Sequence, residues 1–419
     1  MKKKLIAMLV CIGLVASLFA GCKSSSDGGQ SGNTEPTKGA SQDAAEPTDE
    51  AQGETPAIAL DGTWPEEHVK IAVECFDTTD EGFLALQSYL DYLTDYYNIS
   101  FIYSESIASA EDELSFIDSS AAAGCKALIA YYNVTKEEAV KACIENGMYY
   151  WSADAGLAEA FKDNEYYLGG YSFLKAGDDS SHNGDYLGGY QMGYSLANQG
   201  AKHILYCNGG VSLGIQMFID RQQGFFDGVA AAQAEGSTAV FDQKADVIGG
   251  WPGTDAFAAA QTAALDKDYD AIGVSFSAAV WFQPIATVGK TGQIKLATIG
   301  GVTDTFYDAF QTGQMACAVY DCEEVVFGNS IVTILNAVTG NIDIARDNGV
   351  PAAIYVNRWT VADADSFTAI YNYHDEGKYF VTAEDMTQCF PAFNPEASYQ
   401  TVYDLYSALD LETALAKIK

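Results

Sequence analysis

Side chains able to do chemistry are spread thinly along this chain. Three carboxylates, Asp77, Asp80 and Asp154, fall near the ends of apolar, strand-like runs, and two such acids can act as proton donor and acceptor on a glycosidic bond. Nothing in the sequence fixes their separation. No Gly-x-Ser-x-Gly elbow, no phosphate loop ending in Gly-Lys-Ser/Thr and no His-Glu-x-x-His motif accompanies them. No catalytic constellation is therefore assembled from these residues alone. The segment Asn208-Gly209-Gly210-Val211-Ser212-Leu213-Gly214 joins a strand-like run to a helical one, but its spacing departs from the dinucleotide fingerprint. It suits close backbone approach to a ligand, or simply a tight turn, and no cofactor is expected. Trp251 lies beside Gly249, Gly250 and Pro252, a loop setting that is hard to explain as core and in which a ring can stack on a ligand. His68, His182, His203 and His374 lie far apart, and the cysteine spacings match no zinc pattern, so no metal site is expected.

The elements that must position these groups alternate. From Val69 onward, short β-branched and aromatic runs separate longer segments with apolar residues at steps of three or four, the pattern of repeated βα units over a parallel sheet. A first series predicts strands over 69–75, 99–103, 127–131 and 148–152, with helices over 80–97 and 135–146. After a polar stretch at 175–183, a second series predicts helix 185–198, strand 202–207, helix 216–234, strand 239–243, helix 254–265, strand 271–275, helix 278–288 and strand 294–299. A further helix and strand between 306 and 320 and a long helix over 323–338 complete it. The fold class is therefore α/β, with two doubly wound lobes. Ligands of open α/β sheets bind beyond the carboxyl ends of the strands, which singles out the loops after Cys75, Tyr131, Ser152, Cys207, Ser275 and Ile299.

The ends of the chain speak to location. Lys2, Lys3 and Lys4 precede an apolar run from Leu5 to Phe19, too short for a permanent membrane span and ending in small residues, which reads as an export signal over 1–21. Leu18-Phe19-Ala20-Gly21-Cys22 resembles a lipobox, which implies cleavage before Cys22 and diacylation of its thiol; Phe19 stands where that motif usually carries Leu. Residues 22–62 are polar and small, without the apolar content to fold, and read as a tether of roughly 35 Å root-mean-square span. The formal net charge of −35 excludes nucleic acid as a partner and otherwise marks a solvated surface. The odd number of cysteines beyond Cys22 leaves at least one free thiol, and Cys75, Cys125, Cys207 and Cys317 sit in or beside apolar runs, so no disulfide framework is expected, with a Cys317–Cys322 pair left open.

Arg221-Gln222-Gln223-Gly224-Phe225, followed by Asp227-Gly228, is similar to the Arg-x-x-Gly-Phe helix opening of the type I periplasmic binding proteins of the ribose and galactose kind, and residues 69–356 resemble that family. The resemblance implies two lobes joined by three crossings, near 175–183, 321 and 350, that close on a sugar. It implies that Arg221 donates a forked pair of hydrogen bonds to ligand oxygens, for which a guanidinium is well shaped. Asp80 and Phe83 take the places of a polar residue and a stacking ring, Trp251 that of a second ring, and Asp321 that of an amide at the lobe crossing. This chain also departs from the pattern: Ala153 precedes Asp154 where an aspartate is usual, Phe276 stands where asparagine is common, and Gly301-Val302 replaces Phe-Asp. So aromatic a site, with Phe83, Trp251, Phe276 and Trp281, fits a glycoside, nucleoside or other sugar-like compound as well as a free sugar. The implied organisation is an N-terminal lobe over 63–178 with 322–350, a C-terminal lobe over 179–321 with 351–358, and a helical extension over 359–419. The implied role is that of a monomeric, lipid-anchored capture protein on the extracytoplasmic face, handing its ligand to an ABC transporter permease. Presentation of ligand to a membrane signalling receptor is the alternative.

Overall fold

The computed structural model describes residues 58–131, 134–153, 158–173, 182–351 and 353–419. Cys22, the export signal, nearly all of the tether, Asp154 and most of the stretch 175–183 lie outside the described residues. No helix among the described residues is long and apolar enough to cross a membrane.

The apolar run Val69–Cys75 (β1) is almost wholly buried, as a strand covered by helices on both faces must be. It pairs in parallel with Ile99–Ser106 (β2) and Ala127–Ala130 (β3), which leads on to Tyr149–Ser152 (β4) and Tyr167–Phe173 (β5). The connecting helices are Glu81–Leu93 (α1), Ala110–Ala122 (α2), Lys136–Glu145 (α3) and the short Ala158–Phe161 (α4). Sequence periodicity did not predict β5, whose Gly169-Gly170 pair breaks any strand pattern. Helix α1 begins where Asp80 accepts a hydrogen bond from the Phe83 backbone N–H, and it turns Phe83, Leu86, Leu90 and Leu93 into the core.

The second sheet is built from Ile204–Cys207 (β6), Val247–Ile248 (β7), Ala271–Val274 (β8), Lys295–Ile299 (β9) and Met315–Tyr320 (β10), all parallel. Its helices are Gly184–Asn198 (α5), Gln216–Ala234 (α6), Asp255–Leu265 (α7), Phe282–Thr287 (α8) and Asp304–Gln311 (α9). The strand expected over 239–243 is only a bridge between His203 and Val240. Asp242 there accepts from the backbone N–H groups of Lys244 and Ala245, which bends the chain into a turn and delays the edge strand to β7.

Helix Glu323–Val338 (α10) packs against α1, β4 and β5 of the first lobe, although it follows the second in sequence. A small hairpin, Arg346–Asp347 (β11) with Val350–Pro351 (β12), leads to Ala353–Val356 (β13), which pairs in parallel with β5. Trp359–Val361 (β14) then pairs antiparallel with β10. Two expectations are corrected. Residues 353–356 belong to the first sheet, not to the C-terminal lobe, so the third crossing falls at Asn357–Arg358 rather than near Val350. The segment from Trp359 begins as a strand, not a helix. The reason is hydrogen bonding: each sheet leaves an edge that needs a partner, and β13 and β14 take one edge each.

The chain ends in Ala364–Asp375 (α11), Ala383–Thr387 (α12), Tyr399–Ser407 (α13) and Leu411–Ile418 (α14). Helix α11 packs on α9 of the second lobe, with Phe310 stacked on Phe367 at 4.2 Å. The stretch after it packs on the first lobe, where the phenols of Tyr89 and Tyr97 donate to the carbonyls of Val381 and Ala383. This segment is a strap across both lobes. The seven cysteines of the described residues are all free and buried, Cys317 and Cys322 included.

Candidate functional site

On the second lobe, the site is set by how closely two helices approach. A Cβ on Gly224 of α6 would come within 3.0 Å of the Tyr186 carbonyl oxygen of α5, and one on Gly189 of α5 would do the same to that of Arg221. Only glycine permits this, so the Gly-Gly step of α5 and the Gly-Phe step of α6 bring the Arg221 backbone onto α5. The guanidinium then reaches Asp185, with Nε donating to its carboxylate at 2.8 Å, while Nη1 donates to the Ser275 carbonyl at 2.8 Å. Its Nη2 has no hydrogen-bond partner among the described residues. Part of the fork is thus spent inside the protein, and what remains for a ligand is one edge.

Beside it stand three rings. Phe218, one helical turn before Arg221, packs edge-on against Trp251 at 5.8 Å and against Phe276 at 6.4 Å, and the Arg221 guanidinium lies 5.8 Å from its ring centre. Trp251 and Phe276 are 6.3 Å apart. The structure therefore gathers Arg221, Trp251 and Phe276 beyond the carboxyl ends of β6, β7 and β8, joined by Phe218, which sequence reasoning missed. The signal was present, since positions three apart on a helix share a face. Trp251 is 50% exposed, whereas Trp281 is fully buried in the core and not part of the site.

The first lobe corrects one expectation. Phe83 is a core residue, edge-on to Tyr103 and Tyr131 and almost without exposure, because its place in the first turn of α1 faces the sheet. Asp80 caps that helix and also accepts from the Tyr131 phenol at 3.1 Å, both through Oδ1. The loops carry a different signal. Phe76, Val134, Leu213, Ile215 and Trp251 are large apolar side chains left exposed, and all sit on loops past the carboxyl ends of strands in the two sheets. The carboxyl-end edges of the two sheets come together where Glu81 at the start of α1 accepts from Thr303 at 2.7 Å and from Thr305 at the start of α9. Two clefts of about 180 and 400 Å³ flank that contact.

Asp321 lies at the hinge and is paired within the protein. Arg358, which the sequence reading did not single out, holds its carboxylate through two parallel hydrogen bonds, Nε at 2.5 Å and Nη2 at 2.9 Å. The same guanidinium donates to the Gly184 carbonyl at 2.6 Å and lies 3.8 Å from the Phe173 ring centre. Burial opposes its charge, but Asp321 and Asp185 more than offset that and raise its pKa further. Phe173 ends the last strand before the first crossing, Asp321 lies in the second and Arg358 in the third. One side chain therefore ties all three together. The partners are 37 and 174 residues away, so no local signal could have shown it.

Although no metal was expected, the fold brings His374 Nε2 to 2.8 Å from the buried Glu324 carboxylate, with Cys322 beside them.

Two lobes of largely parallel α/β structure, three crossings and carboxyl-end loops meeting between the lobes define the type I periplasmic binding protein fold. No protein-family model matches the chain, and no curated protein matches it. Solved structures do. A solute-binding protein of an ABC transporter from Bacillus halodurans, with bound myo-inositol, matches at 13% identity with a TM-score of 0.54, covering 73% of this chain and 98% of its own. A periplasmic solute-binding protein from Actinobacillus succinogenes, with bound D-allose, matches at 15% identity and 0.53, covering 72% and 99%. A twin-arginine translocation pathway signal protein from Burkholderia phytofirmans matches at 13% identity and 0.58, covering 74% and 94%.

Proposed function

We propose that this chain is an extracytoplasmic solute-binding lipoprotein, anchored through Cys22, that captures a sugar or sugar-like molecule between its lobes and delivers it to an ABC transporter. The observation that carries this reading is the cluster of Arg221, Phe218, Trp251 and Phe276 past the carboxyl ends of the second sheet. A ring face stacks on the apolar face of a sugar, and a guanidinium edge donates to its hydroxyls. The lipid anchor and the permease partner rest on the sequence around Cys22 and on the fold's use in neighbours that bind myo-inositol and D-allose. The role is binding without catalysis.

A thermal-shift screen of monosaccharides, cyclitols, nucleosides and aromatic glycosides tests it. A ligand at a hundred times its Kd stabilises the folded state by about 2.7 kcal/mol, a readily visible shift. Four of the five tryptophans are buried and Trp251 is not, so the ligand is expected to change emission in wild type but not in Trp251→Phe. Loss of a charged hydrogen-bonding partner costs about 1.5–3 kcal/mol, so Arg221→Ala is expected to weaken binding at least tenfold. Hits that bind both variants as tightly as wild type would place the site elsewhere.

A further inference from the structure

We infer that Cys322, Glu324 and His374 form a binding site for a divalent transition-metal ion of the zinc type, where the carboxyl-terminal strap docks on the hinge. A cysteine sulfur, a carboxylate oxygen and a histidine ring nitrogen lie within 4.8 Å of one another. These are ligand types that zinc takes, at about 2.0–2.3 Å, so tetrahedral ligands sit roughly 3.3–3.7 Å apart. Reaching that spacing takes shifts of roughly one ångström. The hydrogen bond from His374 to Glu324, 2.8 Å long, would open by about half an ångström to let both atoms bind the ion instead.

Rigid elements hold the ligands. Cys322 is the N-cap residue of α10 and Glu324 lies in its first turn, so one helix start fixes two of them. His374 comes from the last turn of α11. The Phe380 backbone N–H donates to the same Glu324 oxygen that faces His374, which orients the carboxylate as an outer-shell partner does in metal sites.

A second observation points the same way. Glu324 and His374 line a cavity of about 180 Å³ with Tyr320 and Glu323. Glu323 is only 7% exposed, and its Oε2 has no hydrogen-bond partner among the described residues. Two buried carboxylates thus face a cavity whose cationic neighbour is one imidazole. A dipositive ion supplies the charge they lack, and the cavity gives room for water as the fourth ligand. Bound there, the ion joins the hinge helix to the strap, a structural role independent of what the lobes capture.

Cobalt(II) is the probe, because only a cysteine ligand gives it an intense thiolate charge-transfer band. The full chain, stripped with a chelator, is titrated with cobalt(II) and then with zinc(II). The expected result is one equivalent of cobalt with the thiolate band, displaced by zinc, absent in Cys322→Ser and at least tenfold weaker in affinity in His374→Gln. His374 is partly exposed, so the second variant remains informative if the buried cysteine cannot be replaced. Absence of the band in wild type, its persistence in Cys322→Ser, or unchanged affinity in His374→Gln would overturn the assignment.

Discussion

Glu74 is the side chain least at ease in the fold. It lies in β1, fully buried, with both carboxylate oxygens lacking hydrogen-bond partners among the described residues. Burial, and then the Glu113 carboxylate, push its pKa well above the ordinary 4.5. In the unfolded chain the group ionises near that ordinary value, whereas in the fold it keeps its proton to higher pH. Between the two, the native state binds more protons than the unfolded one, so stability falls as pH rises from about 4.5 upward, and below that range the penalty vanishes. Glu74→Gln cannot ionise and is expected to lose this slope. Its Tm should gain on wild type as pH rises from about 4 to about 8 in thermal melts, and an unchanged difference across that range would remove Glu74 as the cause. Asp80 and Phe83 teach a related lesson at the same scale. Their types suit a sugar site, but the first turn of a helix also needs a cap and a core anchor, and here those local demands take the Phe83 ring and one oxygen of Asp80.

The pairing of α5 with α6 is the element on which the candidate site depends. Four glycines, Gly189 and Gly193 on one helix and Gly224 and Gly228 on the other, let backbone meet backbone. Overpacking such a contact costs about 1–3 kcal/mol or more, so Gly224→Ala is expected to destabilise the protein by at least that much in denaturant unfolding. It should also weaken ligand binding, because moving α6 off α5 carries Arg221 away from Asp185 and Ser275. A variant that loses stability yet keeps full affinity would separate the helix contact from the site. The Arg-x-x-Gly-Phe spelling is thus a packing instruction, whatever Arg221 contributes to binding, and its glycine made it legible in sequence.

Across the whole molecule, the hinge and the strap decide how the lobes can move. Arg358 is 9% exposed and clamps all three crossings, while Asp321, 30% exposed, keeps some solvent. Breaking a buried pair by removing one partner costs about 3–5 kcal/mol, and partial solvation of Asp321 places Arg358→Met near or below the lower figure. Arg358→Lys keeps the charge but not the two-pronged geometry, so it is expected to recover only part of that loss in the same unfolding assay. Full recovery would show that charge alone matters at the hinge. The strap packs on α9 of one lobe and on α1 and α10 of the other, with Asn336 of α10 donating to the Cys389 carbonyl. Any lobe closure must therefore carry the strap or slide against it.

Periodicity, glycine placement and the Arg221 motif were enough to determine an α/β chain of two βα series, the positions of most strands and the helix that carries the arginine, because these are properties of neighbours in sequence. Trp251 was legible for the same reason, as a large ring in a glycine-rich loop. Tertiary structure alone decided which candidates face the space between the lobes. Phe83 went to the core, Asp321 to Arg358, residues 353–356 to the first sheet and His374 to Glu324, each through partners tens to hundreds of residues away. A local pattern records which face of an element is apolar, but the partner that meets that face is chosen by packing and by unpaired backbone groups at sheet edges.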